Sequence, residues 1–410
     1  MEDSLQSLIG IIILVTMAYL ATHQKIFHGK YNANFKMLAG SGLGMLIIGI
    51  CVGSSGFNII TKKLFSDLAP FIQLLLAWVG LIFGSQFKTS LIKKIPPLYY
   101  IGIFFQAIAT YFIIATIFYL IQSYFHLSYG HLFPFIMASI GCVSGPTILS
   151  LAIRDQKTVS PLIRYLQVAT SIDAIVGIVA FTLLFPSTVI EKLDVSPAIN
   201  FGIMASLAIL LGILFKLYVR LTTNRNEQFL LLIGMLTFTG GIAYSLHYSA
   251  IFINMIIGFI LCNDNKAGPW IDRQLAVGER PFYLLLLLVL GSQFEYQYFT
   301  TMSFTMISIF VFTRILGKVI SISFVDKVLF PDQVISYKSG LAFTFQGGVS
   351  IAMAISFLTI YPTNVSGNQT ILQSILCILI ISIIVNALIS PYLTNKSISG
   401  NNKSNQEETS

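Results

Sequence analysis

Asp173 is the one acidic residue of this chain that lies deep inside an apolar run, 161–185. Twelve residues precede it in that run. At 1.5 Å per helical residue it sits about 18 Å deep, near the middle of a hydrocarbon layer roughly 30 Å thick. A charge at that depth costs on the order of several kcal/mol unless it has a partner or a task. Thr170 and Ser171 bring hydroxyls within one helical turn of it. A carboxylate among hydroxyl and carbonyl oxygens holds a small hard cation after partial dehydration. The same carboxylate can instead hold a proton. One group with two mutually exclusive occupants is the minimum machinery for exchange. The plainer alternative is a permanent ion pair that only packs, and the small net stability of buried pairs argues against it.

The preceding run contains Gly141-Cys-Val-Ser-Gly-Pro-Thr-Ile148. Gly145 and Pro146 in mid-membrane remove a backbone donor and loosen the helix. The result is either a simple proline kink or a broken helix whose ends line a cavity and face an ion. Ser144 and Thr147 flank the break and offer further oxygens. A second interruption, Gln346 followed by Gly347 and Gly348, falls at comparable depth in a later run. Paired interruptions in two halves point to an inverted-repeat transporter. Arg314 lies mid-run, with Lys318 one turn on along the same face. Arg314 is too deep to reach water, so it is expected to pair with carbonyls, helix C-termini or a carboxylate. Its charge does not titrate near neutral pH, which makes it a fixed counter-charge rather than a proton carrier. Lys318, a second counter-charge, is nearer the run's end and is expected to extend toward the interface. The histidines sit near run ends and read as solvated loop residues.

The elements that must position these groups are membrane spans. Of 410 residues, 55% are hydrophobic and 10% charged, and mean hydropathy is +0.82. That excludes a soluble domain. Thirteen runs read as spans: 8–23, 36–53, 69–87, 98–122, 132–153, 161–185, 198–218, 228–245, 247–262, 281–294, 299–323, 337–360 and 369–392. The net charge of +8 is a matter of topology, not of nucleic acid. With the N-terminus outside, cytoplasmic loops and the tail hold nineteen of the 24 Lys and Arg, and external loops hold Lys62, Lys63 and Lys192. The C-terminus is then cytoplasmic and the protein a multi-pass component of the cell membrane. The four scattered cysteines imply neither a disulfide framework nor a zinc site. The run 8–23 reads as a retained span, not a leader. Residues 395–410 are polar and expected to be disordered.

Several segments carry a family pattern. Trp78 to Lys88 resembles a third-span motif in which an aliphatic run ends in Gly-x-Glu, with Gln86 in place of the acid. Ser144-Gly-Pro-Thr147 resembles a crossing-helix motif. Gly340 to Val349 resembles a Pro-Gln-Gly-Gly-Val segment, with Phe345 in place of proline. Together, over 8–392, they resemble the monovalent cation/proton antiporters of the sodium–proton exchanger superfamily, on its bacterial side. Where that family has Asp-Asp or Asn-Asp, this chain has Asp173 alone, between Ile172 and Ala174. The resemblance implies an all-α polytopic membrane protein of about thirteen helices, with an inverted-repeat antiporter fold and two crossed broken helices. It implies one transmembrane antiporter domain, 1–394, made of a dimerisation scaffold and an ion-translocating core. It implies a lipid-embedded homodimer that exchanges Na+, or K+, for H+. With one titrating carboxylate the exchange is expected to be electroneutral. The only metal is then the transported cation at Asp173, with no enzyme activity and no cofactor. The alternatives are a potassium–proton antiporter or efflux system with a regulatory cytosolic subunit, an organic anion symporter, and a transport-dead sensor on the same scaffold.

Overall fold

The fold was analysed in a computed structural model, which describes residues 40–93, 96–126, 129–149, 161–189, 196–222, 224–329, 337–360 and 368–407, with positions 10, 12 and 16. The expected first span, 8–23, lies outside the described residues but for those three positions. So do the loop residues Lys25, Lys30, Lys36, Lys94, Arg154, Lys157 and Lys192.

Each of the other twelve expected spans coincides with helix. These are α1 Leu43–Val52, α2 Ala69–Ser85, α3 Pro97–Tyr124, α4 Phe133–Cys142, α5 Pro161–Val189, α6 Pro197–Leu221, α7 Arg225–Ser245, α8 Ala250–Cys262, α9 Gly268–Ser292, α10 Thr301–Leu329, α11 Gly348–Ile360 and α12 Asn368–Glu407. Among the described residues there is no strand. Among the described residues, seven helices are long and apolar enough to cross a membrane alone. The shorter ones are the broken or loop-flanked spans. Local signals set the starts. Ser196, Asn224 and Ser249 cap α6, α7 and α8 by accepting from backbone N–H groups in the first turn. Proline opens α3 and α6, where its missing donor costs nothing.

Two boundaries differ from expectation. Helix α9 begins well before Pro281, which it carries in its interior; proline is tolerated inside a long helix whose neighbours re-satisfy the freed backbone. Helix α12 runs past the expected boundary to Glu407, with Thr394 and Ser397 buried. Residues 395–407 are therefore helical, not disordered, because extending an existing helix is far cheaper than starting one.

The helices fall into two packing groups. In one, α2 lies against α8, α7 and α9, while α1 lies on α9 and α6 on α8. Glycine makes its central contact: a methyl on Gly84 would overlap the carbonyl of Met255, and one on Gly258 that of Leu81. Without a hydrophobic force between helices in lipid, such small-residue contacts are what bring backbones together. In the other group, α3 packs on α4 and α10, and α4 on α5. There the 3-10 segment Tyr337–Phe343 lies between α10 and α12. This second group holds both interruptions.

Candidate functional site

Helix α4 stops at Cys142. Residues 143–145 are non-helical, with Val143 extended, and helix resumes at 146–149. Likewise the 3-10 segment ends at Phe343, residues 344–347 are non-helical, and α11 follows. The two non-helical stretches cross. The amide of Gly145 donates to the carbonyl of Phe345 at 2.8 Å. A methyl on Gly145 or Gly347 would overlap the other glycine's Cα, so only glycine permits the crossing here.

Broken helices leave carbonyls without donors. Arg314, wholly buried on α10, supplies them. Its Nε donates to Gly141 O at 2.8 Å and its Nη2 to Val143 O at 2.6 Å, both at the end of α4. Its Nη1 donates to Thr344 O, and its Nη2 reaches Phe345 O at 3.3 Å. One guanidinium thus ties both non-helical stretches, and its positive charge faces the negative end of the α4 dipole. Of the partners the sequence left open for Arg314, carbonyls, helix ends or a carboxylate, the structure places it on carbonyls, two of them at the end of α4.

Asp173 lies fully buried on α5 beside the crossing. Its Oδ2 accepts from Ser144 Oγ at 3.0 Å and from Lys318 Nζ at 2.5 Å. Lys318 Nζ also donates to Cys142 O at 2.6 Å and lies over the Phe343 ring at 5.7 Å. Asp173 Oδ1 has no hydrogen-bond partner among the described residues. The expected extension of Lys318 toward the interface is therefore corrected: its side chain is wholly buried. An ammonium turns inward when the interior offers it a carboxylate and a carbonyl, and here it has both.

The other expected site residues divide. Ser144 joins Asp173 directly and alternatively donates to Phe343 O at 3.1 Å. Thr147 lines a cavity described below. Thr170 and Ser171 do not bond Asp173. Thr170 donates to Gln167 O at 2.8 Å in its own helix, and Ser171 to Gln86 Oε1 at 3.0 Å, across to α2. Gln346 is buried at the crossing, where its Oε1 accepts from Asn386 Nδ2 of α12 at 3.0 Å.

A cavity of about 270 Å³ runs between the two packing groups. Its outer wall carries the exposed residues Gln86, Glu279 and Arg280, and its inner wall Ser144, Gly145, Pro146 and Thr147. It therefore leads from the surface to the hydroxyl that holds Asp173. Glu279 and Arg280 were not singled out in the sequence, where they read as ordinary loop charges. Only the start of α9 at Gly268, well before Pro281, puts them on a cavity wall. Among the described residues no cluster of three or more His, Cys, Asp or Glu could hold a metal ion.

The model of the transmembrane sodium/hydrogen exchanger family matches residues 26–396. No curated protein matches the chain. Among solved structures, the sodium proton antiporter MjNhaP1 from Methanocaldococcus jannaschii at pH 8 shares the fold: TM-score 0.69, 17% identity, 96% of this chain and 99% of that chain. An electron-microscopy structure of the same antiporter gives TM-score 0.55 and 18% identity, over 87% of this chain and 89% of that one.

Proposed function

The chain belongs to the sodium/hydrogen exchanger family, and we propose that it exchanges a monovalent cation for a proton at Asp173. Sodium is the favoured cation, since the fold relative is an antiporter of sodium and protons. The observation that carries the reading is the half-filled coordination of Asp173: Oδ2 is held by Ser144 and Lys318, and Oδ1 is free among the described residues. A cation arriving through the cavity meets Ser144 and Thr147, displaces the ammonium and takes the carboxylate. The proton that leaves is the one the Asp173–Lys318 pair was holding.

That pair holds one proton or one cation, and each filling gives the site the same charge. Emptied of both, it is a buried net negative charge, and desolvation opposes its crossing. Exchange is then one cation for one proton, and electroneutral. Arg314 stays charged throughout as the fixed counter-charge. In the orientation with the N-terminus outside, the Gln86 end of α2 is cytoplasmic, so the cavity gives the site its cytoplasmic access. The α2–α8 group is the natural scaffold for a homodimer, and the crossing group is the part that moves.

The test is flux in proteoliposomes loaded with a pH dye, for Na+, K+ and Li+ in turn, with and without an imposed membrane potential. Cation-dependent proton movement that ignores the potential is expected. A rate or end point that tracks the potential overturns the stoichiometry. No proton flux with any of the three cations overturns the exchange itself.

A further inference from the structure

Helix α2 has a glutamine toward each end, and each is bonded to a hydroxyl across the groove between the packing groups. At the cavity mouth Gln86, just past Ser85, accepts from Ser171 of α5. Toward the other end Gln73, 1% exposed, donates through Nε2 to Thr359 Oγ1 of α11 at 3.2 Å. The Thr359 hydroxyl donates in turn to Ser356 O at 3.0 Å. At 1.5 Å per residue the two glutamines stand roughly 20 Å apart along the helix.

The two ends are in different conditions. The cavity reaches as far as Gly348 and Val349, the first residues of α11. Beyond them α11 runs on against α2 and α9 to Ile360. Every residue from Val349 to Phe357 is buried there. From Gly348 to Thr359 is about 16 Å of helix. The seam between α2 and α11 is thus open at the Gln86 side and shut at the Gln73 side. The shut part carries two orphans: Gln73 Oε1 and Ser356 Oγ are buried with no hydrogen-bond partner among the described residues. A polar group buried without a partner loses free energy that it regains in water. One hydrogen bond between the helices therefore holds the seam closed, while two neighbouring groups favour its parting.

We propose that the α2–α11 seam at Gln73, Ser356 and Thr359 is the gate of the second access path to Asp173, closed in this structure, and that the Gln73–Thr359 hydrogen bond is its latch. The gate rests on the exchange reading above, in which Asp173 meets each side of the membrane in turn. With the N-terminus outside, the Gln73 end of α2 is external, so the gate opens outward. When α11 shifts against α2 the latch breaks, and Gln73 Oε1 and Ser356 Oγ are wetted together. The closed seam is dry; only the open one admits water and the passenger.

Cysteine labelling of the full-length chain in intact cells tests the gate without reference to flux. Ser356→Cys reports the seam. Ala354→Cys, equally buried on another side of α11, is the control. The reagent is 2-(trimethylammonium)ethyl methanethiosulfonate, whose fixed charge keeps it outside, and labelling is counted above that of the parent chain. Only a hydrated thiol ionises and reacts, so Ser356→Cys should label about tenfold faster than the control, or more. Adding Gln73→Leu should speed that labelling roughly fivefold, the population shift expected on losing one hydrogen bond. Adding Thr359→Val should do the same, and it keeps the test alive where Gln73→Leu does not fold. Thr359→Ser retains the hydroxyl and should leave the Ser356→Cys rate where it was. If Ser356→Cys labels no faster than Ala354→Cys in any background, the gate is overturned. If it labels fast but equally with and without the latch, the latch is overturned. Either failure leaves cation-dependent proton flux in proteoliposomes standing. Loss of the exchange reading shows instead as absent flux in a chain whose seam still labels.

Discussion

Asp264 and Asp173 are both held by basic side chains, and they are not alike. Asp264, in the turn between α8 and α9, has both oxygens engaged. Its Oδ1 accepts from Arg220 Nε at 2.9 Å and lies 3.8 Å from Lys216 Nζ, and its Oδ2 accepts from the Ala267 amide at 3.2 Å. The partners lie partly in water, with the Arg220 side chain 48% exposed. Asp173 has one oxygen engaged and one idle, and its ammonium partner is sealed in with it. The first arrangement is saturated and can only tie α6 to the α8–α9 turn. The second is incomplete, which is what a site must be if it is to accept a passenger.

Substituting each aspartate separates the two cases most sharply. Asp173→Asn removes the group that holds the proton or the cation, so cation-driven proton flux should fall to the level of protein-free liposomes, while size-exclusion profiles stay those of a folded protein. Asp264→Asn should leave flux per folded molecule intact. If both variants lose flux alike, the contrast is void.

Arg314 comes next. Arg314→Ala leaves the carbonyls of Gly141, Val143, Thr344 and Phe345 without these donors. Each orphan costs about 1–3 kcal/mol, so thermal unfolding in detergent should fall sharply. Arg314→Lys should recover only part of the loss, because an ammonium cannot fork to two stretches. A melting temperature unmoved by Arg314→Ala would mean that the crossing is held by something else. Gly84→Ala probes the α2–α8 contact: overpacking should cost about 1–3 kcal/mol in stability, with exchange per folded molecule retained.

The smallest effect is in acid. Burial alone would raise the Asp264 carboxyl, but hydrogen bonds from Arg220 and the Ala267 amide, with the nearby charges of Arg220 and Lys216, hold it below its ordinary value. A depressed carboxylate adds stability that is complete above its unfolded value, about 3.9, and disappears as pH falls through the lower folded one. The melting temperature of Asp264→Asn should therefore approach that of the parent chain as pH falls below about 4. A gap that widens there would reverse the assignment.

Much of this was legible in the sequence because membrane physics leaves few choices. Twelve spans declared themselves by length and hydropathy. Gly145-Pro146 and Gln346-Gly347-Gly348 announced their breaks, since neither glycine pairs nor proline continue a helix cheaply. The depth of Arg314 left carbonyls, helix ends or a carboxylate as its partners, and the structure gives it carbonyls. Lys318 was misread for a geometric reason: distance from the end of a run says how far a lysine can reach outward, but not whether an acceptor waits inward. Cys142 O is such an acceptor, and it exists only because α4 stops there. The path from Glu279 to Ser144 was likewise invisible, since α9 extends beyond its apolar part.

The guanidinium of Arg314 has a mechanical corollary. It grips carbonyls from two stretches that are far apart in the chain, and Gly145 is hydrogen-bonded to Phe345 besides. Neither half of the crossing can shift alone without stripping a buried cation of its ligands. Any movement of one interrupted helix must therefore carry the other with it, like a cartridge drawn through a sleeve.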